Sequence, residues 1–228
     1  MGLNRIIDAR IDAANPRTIN REIPAGKVSL QEAVLFVAAA LALLLFAAWM
    51  LNPLCLYLSP IAILFLVLYS YCKRFTSLAH IVLGICLAAA PLGAWIALRG
   101  DVGWPAVILA FAVLFWVAGF DIFYALQDVD FDKEQGLHSI PAKLGIENSI
   151  QLVRVFHVIM VGLLLLLLLV DGLGWLYLLG VLVVSLLLIY EHLLVRADDL
   201  SRLDAAFFNM NGYISVTIFA FTLVDAVV

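Results

Sequence analysis

The sequence predicts an all-α protein, a polytopic bundle of transmembrane helices, and three observations lead there. Of its 228 residues, 65% are hydrophobic and 13% charged, with a mean hydropathy of +1.11. A soluble core of this length does not need so much apolar sequence. Apolar stretches of near-spanning length recur along the chain, seven in all. Lys and Arg, finally, fall almost wholly in one of two alternating sets of loops.

The seven stretches run roughly 31–51, 53–72, 80–98, 105–127, 149–170, 174–195 and 204–226. Each lies near the ~20 residues needed to cross ~30 Å of hydrocarbon. Short breaks separate some of them, at Asn52-Pro53, Arg99–Gly103 and Asp171-Gly172. Longer polar segments fill 1–30, 73–79, 128–148 and 196–203. The long segments and their flanks carry Arg5, Arg10, Arg17, Arg21, Lys27, Lys73, Arg74, Lys133, Lys143, Arg154, Arg196 and Arg202, whereas only Arg99 lies in the short turns. Positive charge marks the cytoplasmic side. The long segments are therefore expected in the cytoplasm of an integral membrane protein, in a bacterial inner or plasma membrane. No internal repeat or low-complexity linker appears, so residues 1–228 read as a single domain. Residues 1–30 are polar and lack the apolar core of a cleavable signal peptide. Cys55, Cys72 and Cys86 have no ligand spacing and read as small core residues.

Two acidic clusters interrupt this apolar framework. The first holds Asn4, Asp8 and Asp12, followed by Arg17 and Arg21. Spacing of i, i+4, i+8 drifts about 40° per step on a helix, so the three share a face. The second holds Asp121, Tyr124, Gln127, Asp128, Asp132 and Lys133. Its members also fall mostly on one face, at the cytoplasmic end of the fourth span. Repeated carboxylates beside hydrocarbon are costly and point to function. Mg²⁺ takes carboxylate oxygens and water and is commonly completed by phosphate. Two such faces opposed across a bundle suit a metal-bridged diphosphate. Arg17, Arg21, Lys73 and Arg74 would neutralise the remaining phosphate charge, Arg by bidentate geometry and Lys as a point charge.

Other polar residues have plainer readings. Asp130, Glu134, Asp198, Asp199 and Asp204 read as a solvated rim, and Lys27, Lys143 and Arg202 as partners of lipid headgroups. Asp121 resists that reading, because it follows the apolar run 115–120 inside a span, where an unpaired carboxylate is costly. His80, His138, His157 and His192 are scattered without ligand spacing, and no metal role is expected of them. Tyr69 precedes Lys73 by one turn and Tyr124 precedes Asp128 by one turn. Either is an interfacial aromatic or a ring facing a cation at the mouth of the site.

With the residues in view, the chain resembles the UbiA superfamily of intramembrane prenyltransferases. The first motif reads NRIIDARIDAANPRTINREIPAGKVS, the second DIFYALQDVDFDKEQGLHSIPAKLG, and YCKRFTSLAHIVLG between them resembles the family's Tyr/Lys-Arg loop. The resemblance implies a helical bundle around a lipid-open cavity and Mg²⁺-dependent transfer of a prenyl group from a polyprenyl diphosphate to an aromatic acceptor. By motif, Asn4, Asp8 and Asp12 would bind one Mg²⁺, and Asp128 and Asp132 the other. Arg17, Arg21 and Lys73, with Asn4, would hold the diphosphate. Asp121 would sit near the reacting carbon or orient the acceptor, and Tyr69 and Tyr124 would line the cation region; Asp121, Asp128 and Tyr124 form the expected catalytic set. The ANPRT segment and the second motif look most like 4-hydroxybenzoate polyprenyltransferases and the related futalosine-route enzyme of menaquinone synthesis, which acts on 1,4-dihydroxy-6-naphthoate. The expected partners are thus polyprenyl diphosphate, an aromatic acceptor and membrane lipids, and no nucleic acid. Two features depart from the pattern. Arg5 stands where many members carry Asp. Members also typically have nine spans, which implies that two further spans precede Asn4 in the functional protein.

Three other classes are distinguishable. A CDP-alcohol phosphotransferase would carry a D-x-x-D-G-x-x-A-R run, which is absent. A transporter would show related halves and polar residues at mid-membrane, whereas these charges cluster at one face. A truncated, inactive homologue binding lipid or quinone would be expected to lose Asp8, Asp12, Asp128 and Asp132, all of which are retained.

Overall fold

The computed structural model describes residues 2–200, 202–203 and 209–228. The chain begins with two short helices, α1 (Gly2–Ile7) and α2 (Ala9–Ala14). The expected unbroken helical face through Asn4, Asp8 and Asp12 is interrupted at Asp8, whose ψ of 7° leaves the α-helical basin. The interruption is a kink, since Asp8 N–H still donates to Asn4 O and Asp12 N–H to Asp8 O, both at 2.8 Å.

The long helices are α3 (Leu30–Leu51), α4 (Pro53–Cys72), α5 (Ala79–Arg99) and α6 (Trp104–Ala125). After a 3₁₀ turn at Leu126–Asp128 come the short α7 (Val129–Glu134) and α8 (Ile140–Leu144), then α9 (Ile146–Val170), α10 (Trp175–Leu194) and α11 (Asn211–Val227). Their ends follow local chemistry. Ser29 and Glu32 form a capping box at α3. Asn52 caps α4 by accepting from Cys55 N–H at 2.9 Å, and its amide donates to Ile96 O at 2.8 Å, which ties the α3–α4 turn to the end of α5. Gly100, at φ 72°, closes α5 in the left-handed conformation that glycine tolerates. Asp225, near the end of α11, accepts from Gly174 N–H at 2.7 Å and Tyr177 N–H at 3.2 Å and so caps α10.

Six helices among the described residues are long and apolar enough to cross a membrane, with Trp104–Glu134 counted as one. Seven spans were expected. The seventh is described as α11, an apolar helix of 17 residues, at the lower end of the lengths that cross a bilayer; positions 204–208 of the expected stretch lie outside the described residues. A second departure concerns the second acidic cluster. The 3₁₀ turn advances 120° per residue and not 100°, so its three residues shift the helical phase by about 60° between Asp121 and Asp132. The expected single face is twisted accordingly.

Helix α6 is the axis of the bundle, packed against α5 on one side and α9 on the other. Half of its most apolar stretch is buried within the described residues, against 6% for α3. Small residues allow the close approach. A Cβ on Gly84 of α5 would lie 2.6 Å from Leu114 O of α6. One apolar cluster, including Ile108, Met160, Leu164, Val181 and Ile214, joins α6, α9, α10 and α11. A second, around Ile122, Phe123, Ile150 and Val153, lies towards the polar end.

Candidate functional site

Backbone turns after α2 carry Arg17 and Arg21 back towards the helix ends. Asn15 N–H closes α2 on Ile11 O at 3.2 Å, and the Asn15 side-chain oxygen accepts Arg17 N–H at 2.9 Å. Thr18 Oγ1 donates to Asp12 O at 3.0 Å. These local bonds hold the segment under the end of α6. From there Arg17 Nε donates to Asp128 Oδ1 at 2.9 Å while its Nη2 meets Asp128 Oδ2. Arg17 Nη1 donates to Tyr124 Oη at 2.5 Å, and the guanidinium carbon stands 4.6 Å from the Tyr124 ring centroid. Asn15 Nδ2 completes the Asp128 shell at 2.9 Å.

The N-terminal cluster is paired in the same manner. Arg21 Nη1 donates to Asp12 Oδ1 at 2.7 Å, and Arg74 Nη2 to Asp8 Oδ1 at 2.9 Å. Asn4 Nδ2 donates to Asp8 Oδ2 at 2.6 Å. Arg5 turns to Glu22 instead, at 3.3 Å. The two clusters, more than a hundred residues apart in sequence, therefore meet at one end of the bundle around Arg17 and Arg21. Lys73 is near enough for its charge to act on Asp128, and its carbonyl accepts His138 N–H at 2.7 Å. Tyr69 is within electrostatic reach of Asp8 and Arg21 of the first cluster and of Asp121 of the second.

Electrostatics follow from the burial. Desolvation raises the Asp8 carboxyl above the ordinary carboxylate range, against the opposing pull of Arg74 and Asn4, and nearby Asp12 adds to the rise. For Arg17 burial is the largest single influence and acts to lower its pKa, but the hydrogen bonds and charge of Asp128, with Tyr124, outweigh it and hold the guanidinium firmly protonated.

In the two acidic clusters, two buried carboxylate oxygens have no hydrogen-bond partner among the described residues, Asp12 Oδ2 and Asp132 Oδ2. Asp132 is only 1% exposed. A buried carboxylate oxygen without a donor is costly, and a divalent cation is the hard partner such an oxygen takes. Among the described residues no three His, Cys, Asp or Glu side chains converge tightly enough to enclose a metal ion by themselves. The donor set thus fits a cation held by one or two carboxylates and completed by water or phosphate, as Mg²⁺ commonly is, and not a closed protein cage.

Below the polar end, α3, α4, α5 and α6 line a half-open apolar cavity of about 670 Å³, with residues such as Leu58, Phe65, Cys86, Leu92 and Phe111. Cys86 also lies within electrostatic reach of Tyr69, which links the cavity to the acidic end.

Sequence reasoning missed one participant, His80, and did not separate Arg74 from Lys73. Arg74, and not its neighbour Lys73, makes the ion pair with the first cluster. His80, set aside as scattered, is buried with Nδ1 2.6 Å from Asp121 Oδ2. That contact answers why a carboxylate is tolerated there. The available signal was position: His80 follows the Lys73-Arg74 loop by two turns at the start of α5. Of the expected rim, Asp130, Glu134, Asp198 and Asp199 are exposed, and Asp204 lies outside the described residues.

Known proteins are similar to this chain in sequence and fold. The model of the UbiA prenyltransferase family matches residues 1–213. A 4-hydroxybenzoate octaprenyltransferase of Tolumonas auensis is 30% identical over 224 residues, covering 96% of this chain and 76% of the relative. Among solved structures, the apo form of a UbiA homolog from Aeropyrum pernix K1 superposes with a TM-score of 0.90 at 34% identity, covering 99% of this chain and 84% of that one. A digeranylgeranylglyceryl phosphate synthase superposes with a TM-score of 0.74 at 26% identity, covering 99% and 79%.

Proposed function

The chain belongs to the UbiA prenyltransferase family and is an integral membrane prenyltransferase, and from that premise we propose that it transfers a polyprenyl group from polyprenyl diphosphate to an aromatic acid of the 4-hydroxybenzoate type, with Mg²⁺, at the cytoplasmic face. One observation carries this reading: two sequence-remote acidic clusters are held by arginines of one short segment, Arg17 on Asp128 and Arg21 on Asp12, at the end of a bundle that also contains an apolar cavity. A diphosphate head and a hydrocarbon tail need those two environments side by side.

Asp8 and Asp12 with Asn4, and Asp128 with Asp132, would hold the divalent cations, the buried unpartnered oxygens of Asp12 and Asp132 being the strongest grounds. Bound there, the cations supply charge that stabilises the departing diphosphate. Arg17, Arg21, Lys73 and Arg74 bind its remaining oxygens, for which an incoming diphosphate competes with the present carboxylate partners. The C–O bond breaks with its electron pair leaving on the diphosphate, and an allylic cation remains. The ring faces of Tyr69 and Tyr124 stabilise that cation. The acceptor ring then forms the new C–C bond, and Asp121 takes the ring proton. The apolar cavity holds the tail and keeps water from the cation.

Between acceptors, the Tolumonas auensis relative favours 4-hydroxybenzoate over 1,4-dihydroxy-6-naphthoate. The test is transfer in membranes containing the chain, with labelled polyprenyl diphosphate, Mg²⁺ and each acceptor in turn. Prenylated 4-hydroxybenzoate, absent with Asp128→Ala, supports the reading. Product from the naphthoate alone reassigns the acceptor, and product from neither removes the aromatic acid altogether.

A further inference from the structure

We propose that His80 is a positioning residue for Asp121, a neutral hydrogen-bonded strut and not a carrier of the reaction's proton. The inference rests on the reading of Asp121 as the group that takes the ring proton. His80 sits fully buried at the start of α5. Its Nδ1 stands 2.6 Å from Asp121 Oδ2 on α6. Its Nε2 receives the backbone N–H of Ile140, the first residue of α8, at 3.4 Å.

These two contacts fix the tautomer. An amide N–H aimed at Nε2 requires a lone pair there, so the single ring proton sits on Nδ1 and is donated to Asp121. A doubly protonated ring would set two N–H groups against each other at Ile140. The Ile140 amide is among the free donors at the start of α8, whose cap Ser139 accepts only from Ala142 N–H, at 3.3 Å. His80 therefore ties α5, α6 and α8 together around one carboxylate oxygen.

Asp121 keeps its second oxygen. That atom makes no hydrogen bond among the described residues, and the side chain remains 18% exposed. The Asp121 carboxyl group lies within electrostatic reach of Tyr69. His80 thus immobilises one oxygen of Asp121 and leaves the other for the acceptor ring. A proton passed to His80 would have no onward path, because the far nitrogen faces a backbone amide.

Two substitutions separate a strut from a proton carrier. In His80→Gln the side-chain amide donates to Asp121 and its oxygen accepts from Ile140, yet it cannot titrate. In His80→Leu the volume is filled and both bonds are lost. With the full chain in membranes, His80→Leu should lower kcat about 10- to 100-fold, the usual range for outer-shell partners. Its KM for polyprenyl diphosphate should be unchanged, because the arginines are untouched. His80→Gln should stay within about fivefold of wild type. A loss in His80→Gln as deep as in His80→Leu overturns the proposal, as does full activity in His80→Leu. Nitrogen NMR of labelled histidine gives a readout independent of activity. It should show a neutral ring protonated at Nδ1 whose signal is missing from His80→Gln. A ring protonated at Nε2, or at both nitrogens, overturns the strut even if wild type transfers no prenyl group. Absence of transfer by wild type alongside the expected NMR signal overturns the parent function alone.

Discussion

Arg17 grips both oxygens of Asp128 across 111 residues of sequence, with Nε to Oδ1 at 2.9 Å. The pair pins the N-terminal segment to the end of α6, and the third guanidinium nitrogen is spent on Tyr124. A planar fork is needed to reach all three atoms, which a lysine lacks. Arg17→Lys should therefore raise KM for polyprenyl diphosphate by about tenfold or more. Arg17→Ala should also lower stability by about 2 kcal/mol, since buried Asp128 then keeps only the Asn15 bond. Adding Asp128→Asn to Arg17→Ala should recover part of that loss in thermal unfolding.

The unpartnered oxygen of Asp132 predicts a specific dependence on metal. Asp132→Asn should raise the Mg²⁺ concentration for half-maximal transfer about 10- to 100-fold. Asp130→Asn, two residues away and exposed, should leave it unchanged. Equal shifts in the two variants would remove Asp132 from the cation site.

Burial raises the Asp8 carboxyl above its ordinary 3.8, so the folded state holds that proton more tightly than the unfolded chain. Stability from this group is fully present below pH 3.8 and is lost as pH rises through the folded-state value. Without divalent cation, wild type should lose stability relative to Asp8→Asn over that rise. Adding Mg²⁺ at neutral pH should stabilise wild type more than the variant. Parallel unfolding curves at all pH values would contradict the burial argument.

Glu191 is fully buried, and neither of its carboxyl oxygens has a hydrogen-bond partner among the described residues; His157 Nδ1 is 3.9 Å from Oε2. It lies on the α10 side of the bundle, away from Asp121, which pairs with α5. An apolar group of similar size removes an unmet polar cost, so Glu191→Met should raise stability by about 1–2 kcal/mol with transfer unchanged. A lower melting temperature would show that the carboxyl has a partner of its own.

Gly84→Ala tests the packing of the axis. The added Cβ would lie 2.6 Å from a backbone oxygen, which cannot swing aside as a side chain can. A loss of about 1–3 kcal/mol is expected. An unchanged unfolding temperature would mean that α5 and α6 shift apart freely.

Most spans were legible because hydrocarbon demands a long apolar run that satisfies its own backbone, and α3 to α6, α9 and α10 obey that demand. The acidic clusters were legible because their spacing survives in sequence, kink and 3₁₀ turn notwithstanding. Which cation meets which carboxylate was not. Lys73 and Arg74 are adjacent, and only the turn that ends α4 decides that Arg74 reaches Asp8. His80 was hidden for a related reason. Its partners, Asp121 and the Ile140 amide, come from 41 and 60 residues away, and no local pattern encodes a contact of that range.

The proposed reaction requires the N-terminal and second acidic clusters to act as one catalytic site. Its most direct test is kcat/KM for prenyl transfer by Asp12→Asn, Asp132→Asn and the double variant, at saturating Mg²⁺. Residues acting as one unit lose activity non-additively. The double variant should be about as impaired as the worse single variant. If its loss equals the product of the two single losses, the clusters act independently and the one-site account fails.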